Sequence, residues 1–234
     1  AAPPPHRRNV HRKTAMPIAV DASFPGGNIC VEKIAGDTVF VRQDLRDTAG
    51  DWFFWQFRVR GAAGRRLTFR FTGSPAIGVR GPGISTDGGR TWMWLGPECV
   101  NGNSFSAFIP GDDIRFSVGM PYQEEDLLRF LSSHPADPRL CVRTLCHTRQ
   151  NRRVLCLFFG CMTKEPLFRV AVTCRHHACE MMANYVLEGL IEETLSCSPE
   201  GRWLVEHVAF FAVPFVDTDG VENGDQGKNR HPHD

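Results

Sequence analysis

The chain has 234 residues and a mass of 26.2 kDa, room for one large domain or two small ones. Its 42% apolar and 23% charged content is that of a soluble, core-forming protein, which excludes a disordered or collagen-like chain. Lys and Arg number 27 against 26 Asp and Glu, a net charge of +1, so no overall field draws a polyanion.

The N-terminal stretch is basic and Pro-rich. Its cluster at 7–13 is the one local patch that could touch RNA or anionic lipid, and it reads as a solvated tail; no nucleic-acid partner is expected. The apolar residues that follow are too few for a secretory h-region. From 28 to 119 the chain repeats short β-branched and aromatic runs punctuated by Gly, Asp-Gly and Pro-Gly: 29–34, 38–41, 52–59, 67–71, 91–95, 104–109 and 114–118. Such spacing predicts an antiparallel β-sandwich over 28–120, preceded by a flexible tail at 1–27.

Past Met120-Pro121 the period changes. Residues 123–133 place Leu127, Leu128 and Leu131 on one face behind an acidic first turn, which predicts a short helix ended by His134-Pro135. Runs 141–147 and 154–159 flank a polar turn and predict a hairpin, and 167–173 reads as a third buried strand. Helical spacing of Met182, Val186, Leu187, Leu190, Ile191 and Leu195 predicts the longest helix over 178–195. A short helix at 199–207 and a doubly buried strand at 208–216 follow. That apolar run, broken by Pro214, is far short of the roughly 20 residues that span a bilayer, so no membrane contact is expected. The second half, 121–234, thus reads as an α/β domain, and its sheet looks unfinished. With Ala1 in place of Met and a polar stretch at the other end, both ends are expected to be cuts.

Nine cysteines cannot all pair internally, and a reducing, cytoplasmic setting fits them best. Their C-x-x-x-x-C spacing at 141/146, 156/161 and 174/179 puts partners on opposite faces of a strand, so they read as buried small apolar residues rather than a shared metal site.

The most informative run is Thr173 to Glu180, where a strand ends and the long helix is expected to begin. Open α/β sheets bind ligands at the carboxyl ends of their strands. His177 and Glu180, at i and i+3, share one side of a first helical turn and could bind one zinc ion together with a distant His and a water. His176 with Glu180, at i and i+4, is the competing pair, and spacing does not choose between them. The plain alternative is that Glu180 complements the helix dipole and both histidines are surface groups.

The run Arg-His-His-Ala-Cys-Glu at 175–180, followed by Pro214, Asp219, Gly220, Val221 and Gly224, resembles the zinc carboxypeptidases of the carboxypeptidase A type, specifically the cytosolic carboxypeptidase subfamily. That subfamily carries Arg-x-His-Pro-x-Glu and Pro-x-x-x-x-Asp-Gly-Val-x-x-Gly; Ala178 here replaces the Pro. The resemblance makes His177 and Glu180 the zinc ligands and leaves His176 out. It also implies a β-sandwich ahead of the catalytic domain, with 116–122 as the junction. The third ligand His and the general-base Glu are expected beyond Asp234. The family's Asn-Arg pair for the substrate carboxylate is matched only by Asn229-Arg230, which comes early. Arg230, or else Lys228, is the candidate cation for the substrate or its oxyanion. His207 reads as a packing residue, and neither His231 nor His233 is assigned to the metal. The implied function is zinc-dependent hydrolysis of the C-terminal amino acid from a peptide or protein tail, an acidic tail included, with this chain alone supplying about half the site. Oligomeric state is not legible.

One motif points elsewhere. Ser85-Thr86-Asp87-Gly88-Gly89-Arg90-Thr91-Trp92 fits the Asp-box of sialidase-type propellers but occurs once, so it reads as a folding device in which Asp87 bonds the turn and Trp92 packs beneath it. A peptide- or glycan-binding sandwich without catalysis, the glycan held by Trp92 or Trp94, is the alternative to an enzyme.

Overall fold

The computed structural model describes residues 17–134 and 137–230, so the 7–13 cluster, His231 and His233 lie outside the described residues. The first half builds β1 (Ala19–Asp21), β2 (Cys30–Ala35), β3 (Thr38–Arg42), β4 (Gln56–Arg60), β5 (Arg66–Phe71), β6 (Gly83–Ser85), β7 (Met93–Trp94), β8 (Val100–Asn101), β9 (Ser104–Phe108) and β10 (Ile114–Ser117). They form two five-stranded sheets, ordered β1-β4-β10-β6-β7 and β2-β3-β5-β9-β8. Alternation supplies the shared core: Phe57 and Val59 from β4 and Phe116 from β10 meet Leu67, Phe69 and Phe71 from β5 and Phe105 from β9. Rings cross between the sheets, with Phe57–Phe69 centroids 5.0 Å apart and Phe69–Phe116 5.1 Å.

Two expectations for this half are corrected. The sheets are not purely antiparallel, because β3 and β5 pair in parallel. Between them the chain crosses to the other sheet as β4, so it re-enters the first sheet running the same way. The stretch read as tail also contains β1, in which Val20 pairs with Val59. Three residues are too few to show a period, but Asp21 anchors them through Arg58 and Arg60, each at 2.9 Å.

Residues 85–92 form the expected turn. The Asp87 carboxylate accepts from Arg90 N and Thr91 N at 3.0 Å and from Thr91 Oγ1 at 2.6 Å, while Trp92 Nε1 donates to Gly89 O. Gly88 and Gly89 take φ of 77° and 94°, which side chains beyond glycine resist.

The second half adds α1 (Glu124–Ser132), β11 (Leu140–His147), β12 (Arg153–Gly160), β13 (Phe168–Thr173), α2 (Met182–Leu195), α3 (Pro199–His207), β14 (Val208–Val213) and α4 (Thr218–Asn223). Its sheet is mixed and ordered β11-β12-β14-β13, with β13 and β14 parallel. The hairpin and the central β14 stand where the sequence predicts them. Leu187, Ile191 and Leu195 of α2 pack on Leu157, Phe159, Phe210 and Ala212 of the sheet. In contrast to its expected burial, β13 is an edge strand, with Phe168 50% exposed. An apolar run reports what a strand prefers, not whether a neighbour covers it. Nor are all the cysteines buried: Cys156, Cys161, Cys174 and Cys179 are, while Cys146 and Cys197 are exposed.

The two halves share a further core, in which Phe54 packs with Tyr122, Ala178, Cys179, Met181 and Phe215. Gln226, fully buried, pairs with the main chain of Phe54 like a neighbouring strand: Phe54 N donates to its Oε1 at 2.9 Å, and its Nε2 donates to Phe54 O at 2.7 Å. Among the described residues no helix is long and apolar enough to cross a membrane.

Candidate metal centre

The parallel pair β13–β14 carries two chain segments to one rim of the sheet. Pairing continues past both strand ends, where Val216 N donates to Cys174 O and Asp217 N to Arg175 O, each at 3.0 Å. There the backbone breaks away at Arg175, which has φ of 57°, a left-handed conformation that a side chain disfavours. What holds it is the residue's own guanidinium, 2% exposed. Nε donates to Ala178 O at 3.0 Å, and Nη1 donates to Tyr122 O at 2.7 Å and Asn184 Oδ1 at 3.3 Å. Burial lowers its pKa to about 10, so it stays charged at neutral pH. Arg175 therefore ties the loop that follows it both to α2 and to the junction ahead of α1.

That loop, 176–181, is a turn and not helix; α2 starts only at Met182. The expected helical placement of His177 and Glu180 is replaced by a tight turn closed by Glu180 N donating to His177 O at 3.1 Å. The consequence for the side chains is similar, since His177 Nδ1 lies 2.9 Å from Glu180 Oε1. His176 turns the other way, its Nε2 2.8 Å from Thr173 Oγ1. His207 stacks on Trp203 at the end of α3.

His177 Nδ1 faces the Glu180 carboxylate, and its Nε2 lies 3.1 Å from Lys228 Nζ. Lys228 is thus the cation beside the imidazole. Arg230, the other candidate, spends its guanidinium on Asp217 at 2.6 Å, Asp47 at 3.1 Å and Asp225 at 3.2 Å. Asp225 is itself crowded: burial, then the charge of Asp47, pushes its pKa up.

Imidazole nitrogen and carboxylate oxygen are donors that zinc accepts, with bonds of about 2.0–2.2 Å and tetrahedral angles that set two donors about 3.3 Å apart. The His177–Glu180 pair needs only a few tenths of an ångström more than its present separation, and both side chains are partly open to solvent. Among the described residues no group of three or more His, Cys, Asp or Glu is placed to hold a metal. The pair fits as two members of a ligand set whose third member is not among them.

Sequence reasoning missed the supports. Trp52 Nε1 donates to Cys179 Sγ at 3.0 Å, Asp47 accepts from Gln226 N and Gly227 N at 3.0 and 2.7 Å, and Gln226 O accepts from Cys179 N at 3.3 Å. Nothing in a single chain pairs Asp47 with residues about 180 positions away.

The mixed sheet carries a His-x-x-Glu turn at its carboxyl rim, and residues 132–234 match the model of the zinc carboxypeptidase family. About half of the chain is similar in sequence to cytosolic carboxypeptidases 2 and 3. It is 31% identical over 124 residues to cytosolic carboxypeptidase 2 of Xenopus tropicalis, covering 49% of this chain and 13% of that protein. With cytosolic carboxypeptidase 3 of Mus musculus it shares 29% over 117 residues, 47% of this chain and 12% of that one. The fold also matches a crystal structure of a metallo-carboxypeptidase from Burkholderia cenocepacia, with a TM-score of 0.78 at 24% identity over 90% of this chain and 59% of that one. The chain thus spans about an eighth of the curated relatives and under two thirds of the solved one.

Proposed function

We propose that this chain is part of a zinc-dependent metallocarboxypeptidase that removes the C-terminal amino acid from peptides or protein tails. The observation that carries the reading is the 2.9 Å approach of His177 Nδ1 to Glu180 Oε1, on a turn at the strand-end rim of a zinc carboxypeptidase region. His177 and Glu180 are the proposed zinc ligands. When bound, zinc supplies Lewis acidity that polarises a carbonyl and makes its bound water a nucleophile near neutral pH. Arg175 holds the ligand turn, and Lys228, beside the imidazole, is the nearer cation for a developing oxyanion. Arg230 comes second, because three carboxylates already neutralise it.

In this reading 28–120 is a β-sandwich domain and 121–234 the first part of the catalytic domain, incomplete at its C-terminal side. The confinement of the family match to 132–234 is in keeping with a boundary between the two halves. A cytoplasmic protein with no nucleic-acid or membrane partner is the setting proposed, in keeping with the names of its relatives and the free thiols. The test is mass spectrometry of synthetic peptides incubated with a longer protein that includes this chain. Stepwise loss of C-terminal residues, stopped by a chelator and restored by zinc, is expected; intact peptides, or cleavage indifferent to the chelator, refute it. The 234-residue chain alone should cleave little or nothing.

A further inference from the structure

The segment that brings Lys228 to His177 does not hold itself in place. It runs from the end of α4 between the turn at 176–181 and the β3–β4 loop of the first half, and the bonding that ties it back to α4 ends where Asp225 N donates to Gly220 O at 2.8 Å. Its main chain is held from outside. Gln226 N and Gly227 N donate to Asp47 Oδ1 and Oδ2 at 3.0 and 2.7 Å, and the same carboxylate receives Arg230 Nε at 3.1 Å. One residue further, Thr48 Oγ1 donates to Lys228 O. Asp47 is only 13% exposed, so each of its oxygens is committed and neither is replaced by bulk water without movement.

Two routes lead from this clamp to the proposed ligand turn. Gln226 O accepts Cys179 N, which fixes the turn between His177 and Glu180. Gly227 packs so closely on Ala178 that an added Cβ would stand 2.5 Å from Ala178 N, and Lys228 Nζ then reaches His177 Nε2. We propose that Asp47, from the β3–β4 loop of the first half, is a positioning residue for the His177–Glu180 turn, acting through Gln226, Gly227 and Lys228. The first half is then a built-in part of the metal centre and not an appended module. The inference rests on the proposed zinc site for its functional meaning, but the mechanical coupling is testable without metal.

The experiment compares wild type, Asp47→Ala and Asp47→Asn in the 234-residue chain by amide hydrogen exchange and by cobalt or zinc affinity. D47A should speed exchange at the Cys179 amide, which Asp47 does not touch, about tenfold beyond any change in core strands such as β5. It should also weaken the metal about tenfold, as loss of an outer support does at known metal centres. D47N keeps an oxygen acceptor but not the charge, and should recover part of both effects. If D47A does not fold, Thr48→Val, which deletes only the bond to Lys228 O, should shift the same readouts less. Unchanged Cys179 exchange and metal affinity in D47A overturn the inference, as does D47N matching D47A in both, which would make Asp47 a mere charge balance for Arg230. A wild type that binds no metal, alone or within a longer protein that includes this chain, with Cys179 still responding to D47A, keeps the positioning role and removes the peptidase reading.

Discussion

Replacing Gly227 by Ala puts the packing of the site under direct load. Gly227 has φ of 68°, where an L-residue costs about 1–2 kcal/mol, partly offset by about 0.4–1 kcal/mol from a stiffer unfolded chain. The new Cβ would meet Ala178 N at 2.5 Å and Asp217 Oδ2 at 3.1 Å. Relief requires a backbone shift approaching an ångström, which stretches Gly227 N to Asp47 and Cys179 N to Gln226 O, bonds worth about 1 kcal/mol each. A total near 3 kcal/mol follows. Gly36 is the control: its φ is 60° and nothing lies within 4 Å of an added Cβ, so Gly36→Ala should cost about 1 kcal/mol or less. Urea unfolding of the two variants measures the difference, about 2 kcal/mol. Equal losses would refute the close approach of 226–228 to the ligand turn.

Two carboxyls should respond to pH with opposite signs. The hydrogen bond from Thr91 holds Asp87 well below the usual carboxylate range, so its contribution is present above about pH 4 and fades as pH falls through its folded pKa. Asp87→Asn should therefore lose stability at pH 7 and lose less at pH 3 when followed by urea titration. Burial raises Glu222, so the stability it lends is present below about pH 4 and is lost as pH rises through its folded pKa. Glu222→Gln keeps an acceptor for Glu124 N and should gain stability over wild type at pH 7 but not at pH 3. Arg175→Lys keeps the charge but cannot reach Tyr122 O, Ala178 O and Asn184 together, a loss of about 2–3 kcal/mol by the same titration. A wild-type midpoint would show that the guanidinium does not hold the turn.

Period and punctuation were enough to read most elements, because β5 buries alternate residues, β12 is an apolar run buried on both faces, and turn residues bound them both. The Asp-box was legible for a local reason: all of its hydrogen bonds close within eight residues. Spacing and resemblance singled out His177 and Glu180 as proposed ligands and spacing left His176 in play; the structure brings His177 to Glu180 and His176 to Thr173. The helix start was misjudged because the bonds that hold 176–181 out of a helix come from Arg175, Gln226 and Trp52. Two of these are far away in sequence. The parallel β3–β5 pair, the edge position of β13 and the Asp47 clamp share that character, since each depends on what the fold brings alongside.

Metal stoichiometry decides whether His177 and Glu180 hold zinc together. Zinc bound to a longer protein that includes this chain, measured by elemental analysis together with X-ray absorption of the zinc shell, should approach one per molecule with nitrogen and oxygen neighbours near 2.0–2.2 Å. It should fall to background in both His177→Ala and Glu180→Ala, while His176→Ala retains it. Zinc held equally well by the His177 and Glu180 variants, or none held by the wild-type chain and none by a longer protein that contains it, would contradict the account.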